Sequence, residues 1–105
     1  MSKISVAKEI GPGGGRYVAK VSGIADEAEL TFTQRGPGLI SADHTGAPDS
    51  MSGTGAAKAL VDFMIADARE NGFAIIPLCP YVQAQYRKNP DWRDVMAVAP
   101  DGDPA

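Results

Sequence analysis

The sequence predicts a single mixed α+β (α/β) domain: four antiparallel strands, a helix, a fifth strand parallel to the fourth, and a short C-terminal helix. Three observations carry that reading. Residues 4–45 alternate apolar and polar in short runs broken by Gly and Pro, as half-buried strands joined by turns do. Residues 57–68 then switch to helical spacing, and residues 73–79 form a nearly continuous apolar run, the mark of a strand buried on both faces.

Taken in order, Ile4, Val6 and Ala7 begin the first strand, and Gly11-Pro12-Gly13-Gly14-Gly15 interrupts it because such a run neither extends a strand nor starts a helix. Arg16 to Val21 alternates cleanly, so the pair makes a hairpin of the longer-loop kind. Ala28 to Gln34 alternates through Leu30 and Phe32; Arg35-Gly36-Pro37-Gly38 turns the chain; Leu39 to Thr45 is a fourth strand. A meander is the economical topology, since every connection is short. Gly46 to Ser52 is a loop. In the helix after it, Ala57, Leu60, Val61, Met64 and Ala68 share one face, Phe63 and Ile65 flank it, and Lys58, Asp62 and Arg69 lie opposite. Asn71-Gly72 is a helix stop with Gly72 placed for a left-handed cap. The helix is then a crossover of the right length to set strands four and five parallel. Pro80 suits the first turn of a second helix reaching about Lys88, where Asn89-Pro90 ends it. Trp92 to Val98 reads as a last extended piece, and residues 99–105 as a frayed acidic tail beyond a compact core of 4–98.

At 105 residues, folding buries roughly 65% of the unfolded surface, enough for one core. Ten basic against thirteen acidic residues give a net charge of −3. That argues against nucleic-acid binding through a broad basic face, which needs Lys and Arg to displace counterions. One cysteine, Cys79, and one histidine, His44, leave no internal disulfide and no zinc-type ligand spacing, so no metal is expected. No apolar run approaches the ~20 residues of a membrane helix, and neither a signal core nor a lipidation motif is evident. A cytoplasmic setting is the expectation.

Three places could carry chemistry. Gly53-Thr54-Gly55 stands at a helix start, where close backbone approach and unsatisfied N–H groups suit an anion. It is equally a plain entry turn, since neither the Gly-Lys-Ser/Thr of a P-loop nor the dinucleotide fingerprint is present. Cys79 lies between Pro77 and Pro80 at the end of an apolar strand; a helix start could activate its thiol, or it could be a small buried hydrophobe. His44 in Asp43-His44-Thr45 could act as a general base or pack as an ordinary strand histidine. Tyr81 and Tyr86 lie five apart on the second helix, so one packs while the other is free to reach a ligand. Arg87-Lys88 beside them is an adjacent basic pair or a solvated helix end.

The order of these signals is more specific than any one of them. Ser41-Ala42-Asp43-His44-Thr45, the loop with Pro48, and Ser52-Gly53-Thr54-Gly55-Ala56-Ala57-Lys58 are followed by Ile76-Pro77-Leu78-Cys79-Pro80-Tyr81 and Arg87-Lys88-Asn89-Pro90-Asp91-Trp92-Arg93-Asp94. Together they resemble the small single-domain subfamily of the GNAT superfamily of acetyl-CoA-dependent N-acetyltransferases. The resemblance covers about residues 4–98 and is most specific over 43–61 and 76–95.

That resemblance implies a splay between strands four and five that admits the pantetheine arm of acetyl-CoA. It implies a pyrophosphate loop at Ser52, Gly53, Thr54, Gly55, Ala56 and Ala57. Ser52 departs from the Arg or Gln usual at the loop's first position. It further implies cofactor contacts from Thr45, Tyr81, Tyr86 and Arg87, and reactive residues at His44 and Cys79, set on opposite sides of one cleft. The implied function is acetyl transfer to an amine acceptor, with no metal. Helices that wall the acceptor site in longer members find no room in Gly11 to Gly15, which suits an exposed amine on a protein or polyamine. The alternative is a CoA-binding or protein-interaction module with weak or no catalysis. A cysteine hydrolase built on Cys79 and His44 is poorer, because nothing supplies a third member.

Overall fold

The structure is a computed structural model and describes residues 3–98; the expected tail at 99–105 lies outside the described residues. Five strands form one sheet in the order β1 (Ile4–Gly11), β2 (Gly14–Val21), β3 (Glu27–Gly36), β4 (Leu39–Gly46) and β5 (Ala74–Pro77). The first four are antiparallel neighbours. Helix α1 (Ala56–Asn71) links β4 to β5, and these two pair in parallel, as the crossover length requires. Helix α2 (Pro80–Lys88) comes next, then a 3₁₀ turn at Pro90–Asp94.

The strands are longer than the alternation alone indicated, and the first hairpin is tighter. β1 and β2 run in register up to Gly11↔Gly14, so the connection is Pro12-Gly13 with Gly13 at φ +74°. It is a two-residue turn, not the longer loop expected, and no helix interrupts it. Gly14 and Gly15 belong to β2 because only hydrogen fits there. A Cβ on Gly14 would lie 2.3 Å from the Phe32 carbonyl oxygen, and one on Gly15 2.2 Å from that of Glu9. The glycines read as turn signals are sites of close backbone approach.

The core gathers on one face of the sheet. Tyr17, Ala19, Leu30 and Ala42 are fully buried with Leu60, Val61 and Met64 of α1 and Val82 of α2. At roughly 1.5–3 kcal/mol per large apolar side chain buried, this cluster holds α1 on the sheet. Its apolar stripe is shifted from the expected one: Ala56 and Ile65 are buried, whereas Ala57 is only partly so. The opposite face carries a polar row beside a few apolar side chains such as Val18. Register puts Glu9, Arg16, Thr31 and His44 in one row across β1 to β4, and Arg16 pairs with Glu9 at 2.7 Å and Glu29 at 2.8 Å.

Two expectations fail at the C-terminal end. β5 is not buried on both faces: Ile75 and Pro77 are buried, Ala74 and Ile76 partly, and Leu78 is 51% exposed. An apolar run of seven suggested a central strand, but β5 pairs with β4 on one side and meets only a bridge to Met96 on the other. Trp92 is not extended either. Pro90 fixes the φ that starts a 3₁₀ turn, and this turn seats Trp92 in the core.

Candidate functional site

The site begins where β4 outruns β5. Their ladder ends at Ala42↔Pro77, while β4 continues through Gly46. The amides of Leu78 and Cys79 both donate to the Ala42 carbonyl, at 3.1 and 2.9 Å, and the chain then turns into α2. This is the splay: past Ala42 the edge of β4 has no β5 partner. A bulge lies at the same point. Phe32 pairs with Ala42 and Thr31 with His44, so Asp43 is an extra residue with no β3 partner. Such a residue bends the strand and re-aims the side chains beyond it.

Beyond the bulge, neighbours point to opposite faces. His44 lies on the polar face with Thr31 and is exposed, its ring beside Gly46. Thr45, opposite Leu30, points to the core side, where its hydroxyl lies 3.2 Å from the Cys79 sulfur. Cys79 is 2% exposed. The structure therefore joins Cys79 to Thr45, with His44 turned to the other face of β4. No hydrogen bond connects His44 with Cys79 among the described residues.

The loop after β4 leads through a short 3₁₀ turn, Asp49–Met51, to the glycine turn. Gly53 and Gly55 have φ +78° and +83°, and a Cβ on either meets nothing within 4 Å. Conformation, not crowding, calls for glycine here. Gly55 is the N-cap of α1 and supplies no side-chain cap. Internal bonds use every second amide. Ser52 donates to Asp49, Thr54 to Met51, and Ala56 to the Thr54 hydroxyl at 3.2 Å. The amides of Gly53, Gly55 and Ala57 have no acceptor among the described residues, nor does that of Lys58 at the third helical position. Open N–H groups at the positive end of a sixteen-residue helix form a ready anion site.

A groove of about 310 Å³ runs along this turn, bounded by Pro48, Ser52, Gly55, Ala57, Lys58 and Tyr81. Tyr81 comes from α2; its phenol pKa is raised by burial, with the Lys58 charge opposing and the Asp62 charge reinforcing. Tyr86 takes the other role open to the pair: it is 1% exposed, and its hydroxyl donates to the Val98 carbonyl at 2.8 Å. The resemblance implied a cofactor contact for Tyr86; the structure makes it a packing residue, because five residues along a helix turns a side chain away from its neighbour's face. Arg87 is exposed in the last turn of α2 and does not border the groove.

The sequence reading missed Lys58, which helical periodicity assigned to the solvent face. Its ammonium does face solvent, 2.8 Å from Asp62, and that hydrogen bond raises its pKa. Yet its position one turn from Gly55 also makes it a wall of the groove. A cation three residues after the glycine turn was the available signal. Among the described residues no three His, Cys, Asp or Glu side chains converge as a metal group, and no helix is long and apolar enough to cross a membrane.

Comparison with known proteins agrees with this geometry. No curated protein matches the chain. The solution structure of a GCN5-like protein from Staphylococcus aureus superposes with a TM-score of 0.62 at 27% identity, covering 86% of each chain. A family model described as GCN5-related N-acetyl-transferase matches residues 16–95, the stretch that contains the bulged β4, the glycine turn and the end of β5. Fold, splay and sequence match thus meet in one assignment: the chain belongs to the GCN5-related N-acetyltransferase family.

Proposed function

We propose that the protein binds acetyl-CoA and transfers its acetyl group to an exposed amine of a protein or polyamine. The observation that carries this is the set of open amides at Gly53, Gly55 and Ala57, at a helix start beside a strand edge left unpaired by the splay. The family in general uses acetyl-CoA as co-substrate, and the residues present fit it. The open amides and the α1 dipole suit a pyrophosphate. Ser52 lacks the longer side chain usual in the loop, and Lys58 on the same groove supplies a cation instead. Thr45 stands on the stretch of β4 beyond the splay, and Tyr81 lines the groove.

In this reading an amine attacks the thioester carbonyl, and a backbone N–H near His44 or Thr45 stabilises the developing oxyanion. The amine must lose a proton, and His44, exposed on the polar face, or a water takes it. Bound geometry supplies much of the rate, so direct attack needs no protein nucleophile. Cys79 is buried under Thr45, which favours direct transfer over a cysteine carrier. The hairpin joining β1 to β2 has no helix, which leaves the acceptor side open to a large substrate.

The second reading, a CoA-binding or interaction module with weak catalysis, draws on Ser52 and on that same missing wall. Turnover of acetyl-CoA with a panel of amines separates the two. Replacing His44 by Ala lowers turnover about tenfold or more with CoA affinity kept, about 1.4 kcal/mol of transition-state stabilisation. Tight CoA binding without turnover of any amine selects the module. Absence of acetyl-CoA binding removes both readings.

A further inference from the structure

We infer that Asp43 is the positioning residue of this site: its carboxylate, held by Thr33, Ser41 and Arg35, fixes the bulge that sends His44 to the polar face and Thr45 to Cys79. Strand register makes the case. From Phe32↔Ala42, an unbulged ladder continues as Thr31↔Asp43, Leu30↔His44 and Glu29↔Thr45. In that register the imidazole joins Leu30 on the core face, and Thr45 leaves Cys79 for the polar face. One extra residue therefore exchanges the two side chains on which the proposed site depends.

What holds the extra residue is a chain of side-chain bonds. The Thr33 hydroxyl donates to Asp43 Oδ2, and the Ser41 hydroxyl donates to Oδ1 at 2.7 Å. Arg35 Nε donates to Ser41 Oγ at 2.8 Å, and its guanidinium lies 3.8 Å from Oδ1. Thr33 and Ser41 are directly opposite on β3 and β4, so the carboxylate accepts from both strands at once. Ser41 is 0% exposed. A buried hydroxyl with its partners in place is costly to disturb, and Ser41 holds the carboxylate from within β4 while Thr33 holds it from β3. The acid is thus a clasp across the two strands, beside the residue it displaces.

The inference rests on the proposed transfer only for its kinetic arm; its structural arms use the protein without any ligand. In cross-strand NMR contacts the wild type shows residue 31 against residue 44. Asp43→Ala moves that contact to residue 43 and raises the rate of Cys79 modification by Ellman's reagent roughly tenfold, as Thr45 leaves the sulfur. Asp43→Asn keeps an oxygen acceptor and restores the wild-type contact and thiol rate. Should Asp43→Ala fail to fold, Thr33→Val, which removes one donor, is measured the same way. Where the wild type turns over acetyl-CoA, Asp43→Ala lowers kcat about tenfold, while acetyl-CoA affinity, set at the glycine turn, changes less than about twofold. A 31–44 contact and a thiol rate that both survive Asp43→Ala and Thr33→Val overturn the inference, whether or not the protein proves to be a transferase.

Discussion

The two ends of α1 are built on opposite principles. At its C-terminal end side chains and cap are tied down by hydrogen bonds. The Asp67 carboxylate accepts from Lys8 at 2.8 Å, from the buried Tyr17 hydroxyl at 2.8 Å and from Asn71 at 2.6 Å. The Lys8 ammonium also lies 5.1 Å from the Phe73 ring centre. Gly72, at φ +72°, closes the helix by donating to Ala68. At the N-terminal end Gly55 has the same left-handed backbone, yet it caps nothing with a side chain and leaves amides open along a groove. One end is spent on holding helix to sheet. The other leaves its amides without acceptors among the described residues, and the ligand proposed for them is a pyrophosphate.

The largest effect expected from breaking this contrast is at the occupied end. Asp67→Ala strands the fully buried Tyr17 hydroxyl and lowers stability by about 2–3 kcal/mol in urea denaturation. Acetyl-CoA affinity, measured on the folded variant by calorimetry, stays as it was. A matching loss of affinity would show that the two ends are not independent.

The glycines sharpen the comparison further. Gly55→Ala and Gly72→Ala each place a side chain at positive φ in open space, so each costs about 1–2 kcal/mol of stability. Only Gly55→Ala also weakens acetyl-CoA. Equal weakening by both would trace the loss to general destabilisation and remove the cradle assignment.

Lys58→Met tests the cation at the open end. Its ion pair with Asp62 is an exposed one between residues four apart on α1, and such pairs contribute little to stability. Denaturation midpoints should hardly move, whereas acetyl-CoA affinity falls roughly fivefold and loses part of its salt dependence. An affinity independent of residue 58 returns Lys58 to the solvent face.

The smallest effect is one of pH. Burial works to raise the Asp67 pKa, but the bonds from Lys8, Tyr17 and Asn71 outweigh it, and the net value lies below the ordinary 3.8. The folded state thus binds this proton more weakly than the unfolded state. The contribution is full above 3.8 and is lost as pH falls through the lower folded value. The stability of wild type should fall more steeply in that acid range than that of Asp67→Asn. Parallel acid profiles would contradict the assignment of the carboxylate as the charged partner.

Much of the architecture is set by local sequence. Alternation within residues 4–45 and helical spacing after Gly55 report burial on one face, and each is a property of neighbours in the chain. Pro80 and Asn89-Pro90 bracket α2 as they do because proline restricts its own backbone and that of the residue before it. The motif order from Asp43 to Asp94 was enough to indicate the family. Positions whose environment comes from distant segments were not legible in the same way. Gly14 and Gly15 looked like a turn because the crowding that requires them comes from Phe32 and Glu9 across the sheet. The β5 run looked central because hydrophobicity does not say how many strands lie beside it.

The same division governs the site. By itself the sequence determined a meander, a crossover helix, a glycine turn at its start, and a histidine and a cysteine near two strand ends, since all of these are fixed by spacing along one chain. Only the tertiary structure decided that Tyr86 packs while Tyr81 borders the groove, and that Lys58 joins it there. It also decided that His44 and Cys79 belong to different faces of β4. The physical reason is the bulge at Asp43. A strand's side chains alternate with period two, so a single extra residue, held by hydroxyls from two strands, reverses every assignment after it, and no local pattern in β4 announces that residue.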